Sequence, residues 1–246
     1  MKRFLKVMKI AAIIISPLLL LAALVLVQKV EPQQIEPDIV PYAFPDSLAN
    51  YNWDLDSIKT VIGDNKGLPP GYELAAAIAF SAYPELKDVK IDMVLVDKGA
   101  PMESNFDLWT MFVPGKKNRL YKILLLEAEV PYDPILMKNL PLDAQVGILA
   151  HELGHVVYYH DRNLLKIGKW GLRYINDPQF RATHERTTDL MPIYHGLGSQ
   201  IYQYAYFVRY DPSCVALYAN GKQFMDTFYM TDKELAKAWE EWEAKQ

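Results

Sequence analysis

The chain has 246 residues, 51% hydrophobic and 12% aromatic, which marks a folded protein and excludes a disordered one. Its formal net charge is −4, but removing Lys2, Arg3, Lys6, Lys9 and Lys29 from the 26 basic residues leaves 21 against 30 acidic ones after residue 30. A domain that acidic overall is a poor binder of nucleic acid and a poor candidate for lying flat on anionic lipid, and a single cysteine, Cys214, excludes both a disulfide framework and a thiolate-rich metal site.

The first segment carries four cations before Ile10, and Ile10 to Val27 is then free of charge, broken only by Ser16 and Pro17. As a helix this run spans roughly 27 Å, close to the hydrocarbon thickness of a bilayer. Gln28-Lys29-Val30 offers no small-x-small cleavage site. Residues 1–29 are therefore expected to form a signal anchor, a transmembrane helix that makes the membrane a partner of the chain. The basic flank stays in the cytoplasm, which places the remainder in the periplasm or outside the cell, secreted if the signal is cleaved. Residues 30–45 hold Pro32, Pro37, Pro41 and Pro45 and read as an extended spacer.

Residues 46–246 read as one domain. Tyr72 to Ala82 is rich in alanine and predicts a helix closed by Tyr83-Pro84. Lys90–Val96 and Arg119–Leu126 predict strands, the second after a turn-like Pro114-Gly115-Lys116-Lys117-Asn118 stretch. Asp143 has the character of an N-cap for a helix running through Val157. From about residue 178 the chain is helical in tendency, and Thr231-Asp232-Lys233-Glu234 is a capping box. Strands first and helices later predict an α+β fold, mainly helical after an N-terminal mixed sheet. Cys214, beside an apolar neighbour, reads as a small core residue.

Chemistry concentrates in His151-Glu152-Leu153-Gly154-His155. Residues four apart lie on one helix face, so His151 and His155 can present two imidazoles to one ion. Glu152 can then reach a water held by that ion and take its proton, which is how zinc and a carboxylate hydrolyse a carbonyl compound. Gly154 permits close approach of another element. A catalytic zinc takes three protein ligands, so a third is required. Asp161 and His160 stand close behind, but Tyr158 occupies the position where a turning glycine would be needed, and His160 lies about 180° round a continuing helix from His151. Glu185, in His184-Glu185-Arg186-Thr187-Thr188-Asp189, is the favoured third ligand. Asp189, one turn on, can accept the outer N–H of a ligand histidine. For the oxyanion of a tetrahedral intermediate, His195, Tyr194, His184 and Arg186 are available, and His195 is preferred, although Pro192 interrupts the segment before it.

His-Glu-Leu-Gly-His followed by a Glu-x-x-x-Asp helix resembles the gluzincin metallopeptidases, including the thermolysin-like enzymes and the CAAX-protease type. The resemblance covers roughly residues 141–198. It implies zinc held by His151, His155 and Glu185, Glu152 as general base and Asp189 as support. It implies a zincin-like fold, in which an upstream edge strand binds extended substrate, with Tyr121–Leu126 as the candidate. The expected function is a zinc-dependent metallohydrolase, an endopeptidase acting on peptide or protein and not on nucleic acid. A non-catalytic peptide- or protein-binding module of the cell envelope is the alternative, and a zinc hydrolase of non-peptide substrates is a third.

Overall fold

A computed structural model describes residues 47–107, 109–113, 115–127 and 133–245. The expected membrane helix at 1–29 and the whole spacer at 30–45 lie outside these residues. Among the described residues no helix is long and apolar enough to cross a membrane.

The described chain opens with helix α1 (Leu55–Ile62), whose N-cap Asp54 accepts from the amides of Asp56 and Ser57. Strand β1 (Lys66–Gly67) follows, then helix α2 (Glu73–Ser81) and strands β2 (Lys90–Val96), β3 (Met102–Phe106) and β4 (Leu120–Leu126). The sheet order is β1-β2-β4-β3. β1 and β2 are parallel, β2 and β4 are parallel, and β3 runs antiparallel to β4, with Ser104 opposite Ile123. Ala75 to Phe80 are all buried, so α2 is apolar around its circumference and lies in the core.

Helix α3 (Leu142–His160) is the centre of the molecule and is buried over most of its length. It packs against α2, β3 and the later helices α5 (Pro178–Tyr194) and α6 (Gly198–Tyr210). Two glycines set those crossings. A Cβ at Gly147 would sit 2.7 Å from the Ile201 amide nitrogen of α6, and one at Gly154 would sit 3.1 Å from Thr188 Cγ2 and Met191 Cβ of α5. Helices α4 (Leu164–Asn176), α7 (Val215–Phe228) and α8 (Asp232–Glu243) complete the shell. Cys214 is buried, as expected of a core residue.

The expected fold class is corrected. No transmembrane helix is found among the described residues, where the structure is instead a four-stranded mixed sheet with eight α-helices. Helices do not simply follow strands, because α1 and α2 are threaded between and before the first three strands. Tyr121–Leu126 is also not an edge. It is an inner strand with β2 on one side and β3 on the other, and its alternate side chains Tyr121, Ile123 and Leu125 are fully buried. The edge on that side of the sheet is β3, whose polar run Met-Glu-Ser-Asn-Phe carries no strand-like alternation of apolar residues.

Smaller differences have local causes. Asp143 is the second residue of α3 and not its cap. It is buried, accepting from the Ser47 hydroxyl at 2.5 Å, the Leu48 amide and the Gln200 side chain at 3.1 Å. Pro192 does not end α5, which runs to Tyr194, and the amide of Leu197 closes on the Pro192 carbonyl at 2.8 Å.

Candidate metal centre

α3 and α5 meet face to face, and Gly154 lets them close. Without a side chain there, Thr188 and Met191 of α5 lie directly against the α3 backbone. That approach sets Glu185 beside both histidines. Glu185 Oε2 lies 3.5 Å from His151 Nε2 and 3.4 Å from His155 Nε2. All three residues are buried, and their three ligand atoms lie within 4.8 Å of one another, so the group can hold a metal ion.

The distances have a chemical meaning. Both exceed the ordinary N–H···O range. Zinc bonds of about 2.0–2.1 Å in a tetrahedron place neighbouring ligand atoms about 3.3–3.4 Å apart. The separations therefore suit three corners around a common point better than two hydrogen bonds. Two nitrogens and a carboxylate oxygen are a donor set that zinc accepts.

Each ligand is braced from behind. His151 Nδ1 lies 2.9 Å from Asp189 Oδ1. His155 Nδ1 lies 3.2 Å from His184 Nε2. Tyr174 of α4 donates its hydroxyl to Glu185 Oε1, leaving Oε2 to face the histidines. Asp189 has a second duty, since its Oδ2 accepts the Met230 amide at 2.7 Å and so ties the α7–α8 turn to the site.

Protonation follows from these contacts. Burial works against charge on His151, but the Asp189 and Glu185 carboxylates beside it outweigh that and hold the imidazole well above its usual value. Burial likewise opposes charge on Glu185, yet His155 and His151 pull its carboxyl well below the usual range. His184 is pushed down to about 3, by burial and then by His155. It is caged by Tyr158, Trp170, Tyr174 and Phe180, with the Tyr158 ring 4.6 Å away. A neutral His184 can accept the Nδ1 proton of His155, which leaves Nε2 of His155 bare for a ligand bond.

Glu152 is buried on the same helix, and its Oε2 has no hydrogen-bond partner among the described residues. A buried carboxylate oxygen left unpaired is costly. The backbone around it is pinned. Ser104 of β3 donates to the Glu152 carbonyl at 2.8 Å, and Tyr83 donates to the Ala150 carbonyl at 2.7 Å. On β3, burial and the Glu152 charge raise the Glu103 carboxyl. Three phenols, Tyr159, Tyr204 and Tyr229, lie in the field of Glu152. Burial is the largest cause that keeps each of them protonated, with Glu152 adding to it. The Tyr229 ring centroid is 6.1 Å from that of His151.

The structure thus brings together His151, Glu152, His155, Glu185 and Asp189, and leaves His195 apart. His195 stacks on Tyr83 at 3.9 Å, with Nδ1 at 2.7 Å from the Met191 carbonyl and Nε2 at 2.8 Å from Glu85 Oε1. Both ring nitrogens are spent on structure. Tyr194 is exposed, and Arg186 is occupied by Glu234 and the Tyr229 carbonyl. Asp161 ends α3 and pairs with Lys116 at 3.4 Å, while His160 faces Tyr121 at 5.8 Å between ring centroids. Tyr174, Tyr204 and Tyr229 carry no local motif. His184 stood next to Glu185 in sequence, but its partnership with His155 arises only where α3 and α5 pack. No protein-family model, curated protein or solved structure matches this chain.

Proposed function

We propose that this protein is a zinc-dependent hydrolase that cleaves peptide bonds, built on the same ligand pattern that the gluzincin resemblance implies. The observation that carries the reading is the unpaired, buried Oε2 of Glu152 beside a convergent His151–His155–Glu185 group. Zinc bound there would supply Lewis acidity, acidifying a water and polarising a carbonyl.

The remaining work falls to the chain's own residues. Glu152 takes the proton from the attacking water and returns it to the departing amine. Asp189 and His184 keep the ligand histidines in the tautomer with Nε2 bare. Tyr174 fixes the carboxylate of Glu185 by its second oxygen. Tyr229 is the neutral phenol favoured as donor to charge developing on the carbonyl oxygen, because it lies beside His151 and its backbone is held on both sides. Arg186 donates to its carbonyl at 3.0 Å, and the next amide is bonded to Asp189.

The test uses the full chain in detergent, assayed on a library of quenched fluorescent peptides, with metal measured by elemental analysis. Wild type should bind one equivalent of zinc and turn over peptide. Glu152→Gln should keep the zinc and lose at least about a hundredfold in turnover, the scale of general base catalysis. Zinc bound without turnover in wild type would instead favour a peptide-binding module, and no zinc at all would end the proposal.

A further inference from the structure

Most surface-exposed large apolar side chains of the described chain belong to two segments. One is the loop carrying Trp109, Phe112 and Val113, the other is α4 with Leu165, Leu172 and Ile175. Leu165 is 80% exposed, Leu172 67%, Trp109 59% and Phe112 56%. Such side chains are ordinary when scattered and informative when grouped.

Here they are grouped. At 100° per residue, Leu165, Leu172 and Ile175 fall within about an 80° arc of α4. The opposite face carries Ile167, Trp170 and Tyr174, which pack inward towards His184 and Glu185. The helix therefore has two apolar faces, and only one is covered. The segment that follows the Trp109–Val113 loop meets the residues before the start of α4. Lys116 pairs with Asp161, and Arg119 donates to the carbonyls of His160 and Arg162, the residues that lead into α4.

Charge identifies the occupant. Between residues 164 and 176 the helix carries Lys166, Lys169 and Arg173 and no acidic residue. Lys169, about 40° round from Leu165, is exposed at the edge of the apolar arc, Arg173 and Lys166 stand further round on the same side, and Lys117 is exposed in the turn after the loop. Of the nearby carboxylates, Asp161 pairs with Lys116 and Asp177 with Arg173 at 3.2 Å, and Asp107 accepts from the Trp109 and Thr110 amides at the head of the loop. Aromatic and leucine side chains rimmed by lysine are the composition of a surface that lies in the headgroup region of an anionic bilayer. The domain as a whole is acidic, which makes this patch the local exception.

We propose that the exposed face of α4, together with the Trp109–Val113 loop, seats on the surface of an anionic lipid bilayer. Docking there sets the inward face of the same helix, with Tyr174 on Glu185, about one helix diameter from the lipid. The metal-binding group would then work at the membrane surface. The proposal stands on the surface alone and does not depend on the hydrolase reading.

Binding of the full chain to vesicles would not decide the matter, because Ile10–Val27 is itself apolar. Depth at chosen residues does. Nitroxide labels on Leu172→Cys, Phe112→Cys and, as a control outside the patch, the exposed Val61→Cys can be compared by oxygen and nickel-chelate relaxation. Cys214 is fully buried and leaves the introduced thiol as the accessible one. In vesicles containing phosphatidylglycerol, labels at 172 and 112 should enter the oxygen-rich, nickel-poor zone while the label at 61 stays aqueous. Lys166→Gln with Lys169→Gln should lower the inserted fraction at 172 about thirtyfold, and that variant should keep the parent's circular dichroism. Aqueous labels at 172 and 112 would overturn the proposal. Equal insertion into pure phosphatidylcholine, or protection without lipid accompanied by label–label broadening from a second copy, would overturn it too.

Discussion

Replacing Asp189 by Asn tests the geometry of the metal centre at one atom. Asp189 offers two acceptor oxygens, Oδ1 to His151 Nδ1 at 2.9 Å and Oδ2 to the Met230 amide at 2.7 Å. An asparagine has the same shape but one acceptor, and its amide must confront one of those two N–H groups. The Met230 amide cannot change its proton, whereas the imidazole can. The asparagine oxygen is therefore expected to stay with Met230, turning its NH2 towards His151. The ring then accepts at Nδ1 and carries its proton on Nε2, the atom that must be bare to bind metal. Loss of such a brace weakens metal binding about 10- to 100-fold. A charge-assisted hydrogen bond is worth about 1.5–3 kcal/mol, or on the order of ten- to a hundredfold, so the two scales agree. The assay is competition for zinc against a chromophoric chelator at fixed pH, wild type beside Asp189→Asn, with thermal melting as a folding control. A zinc affinity within twofold of wild type in a folded variant would refute the reasoning. A lowered melting point with unchanged affinity would show that Asp189 merely ties the α7–α8 turn through Met230.

Two further outcomes follow from the same contacts. Zinc affinity should rise with pH through neutrality, by about one decade per unit for each proton displaced, because His151 is held protonated above its ordinary value of 6.5 and must release that proton to bind. For the metal-free protein the signs are opposite at the two groups: the raised His151 contributes stability below its ordinary value that is lost as pH rises through its folded value. The lowered Glu185 contributes above its ordinary value of 4.5 and is lost as pH falls through its folded value. The metal-free melting point should therefore peak between about 4.5 and 6.5 and the gain on adding zinc should grow towards alkaline pH, and a gain that shrinks between pH 6 and 9 would contradict this. His195→Ala should cost about 1–2 kcal/mol of stability, through the lost Tyr83 stack and hydrogen bonds, and leave zinc content and peptide turnover unchanged. Loss of turnover at full zinc occupancy in that variant would return His195 to the reaction.

What could be read from the chain was whatever repeats at short range. β2 agrees at both ends with the expected Lys90–Val96, and β4 begins one residue later than expected, because both are apolar runs bounded by turn residues. The capping box at Thr231 and Glu234 forms as expected, since all its partners lie within four residues. β3 was invisible because an edge strand needs no apolar alternation, and its existence made Tyr121–Leu126 an inner strand. α4 was missed for a different reason. Its three glycine-or-asparagine interruptions, Gly168, Gly171 and Asn176, lower helix propensity, and what holds it is Trp170 and Tyr174 against α5, a tertiary fact.

The site divides along the same line. His151, Glu152 and His155 share one helix, so their relation is written in spacing. Glu185 and Asp189 share another, and Gly154 marks where the two helices can close, but the spacing itself could not say that His184 would brace His155 while Asp189 braced His151. That asymmetry matters for charge. Glu152, Glu185 and Asp189 place three carboxylates around buried imidazoles, and only Asp189 has a backbone donor among its contacts here. A metal-free site must answer that negative charge with a proton, and the shifted His151 is where it goes. A dication would answer it without one, freeing His151 Nε2 and leaving Glu152 as the carboxylate with an unspent oxygen. The hydrolase proposed above would use both halves, the cluster to hold the cation and the unspent oxygen of Glu152 to take a proton.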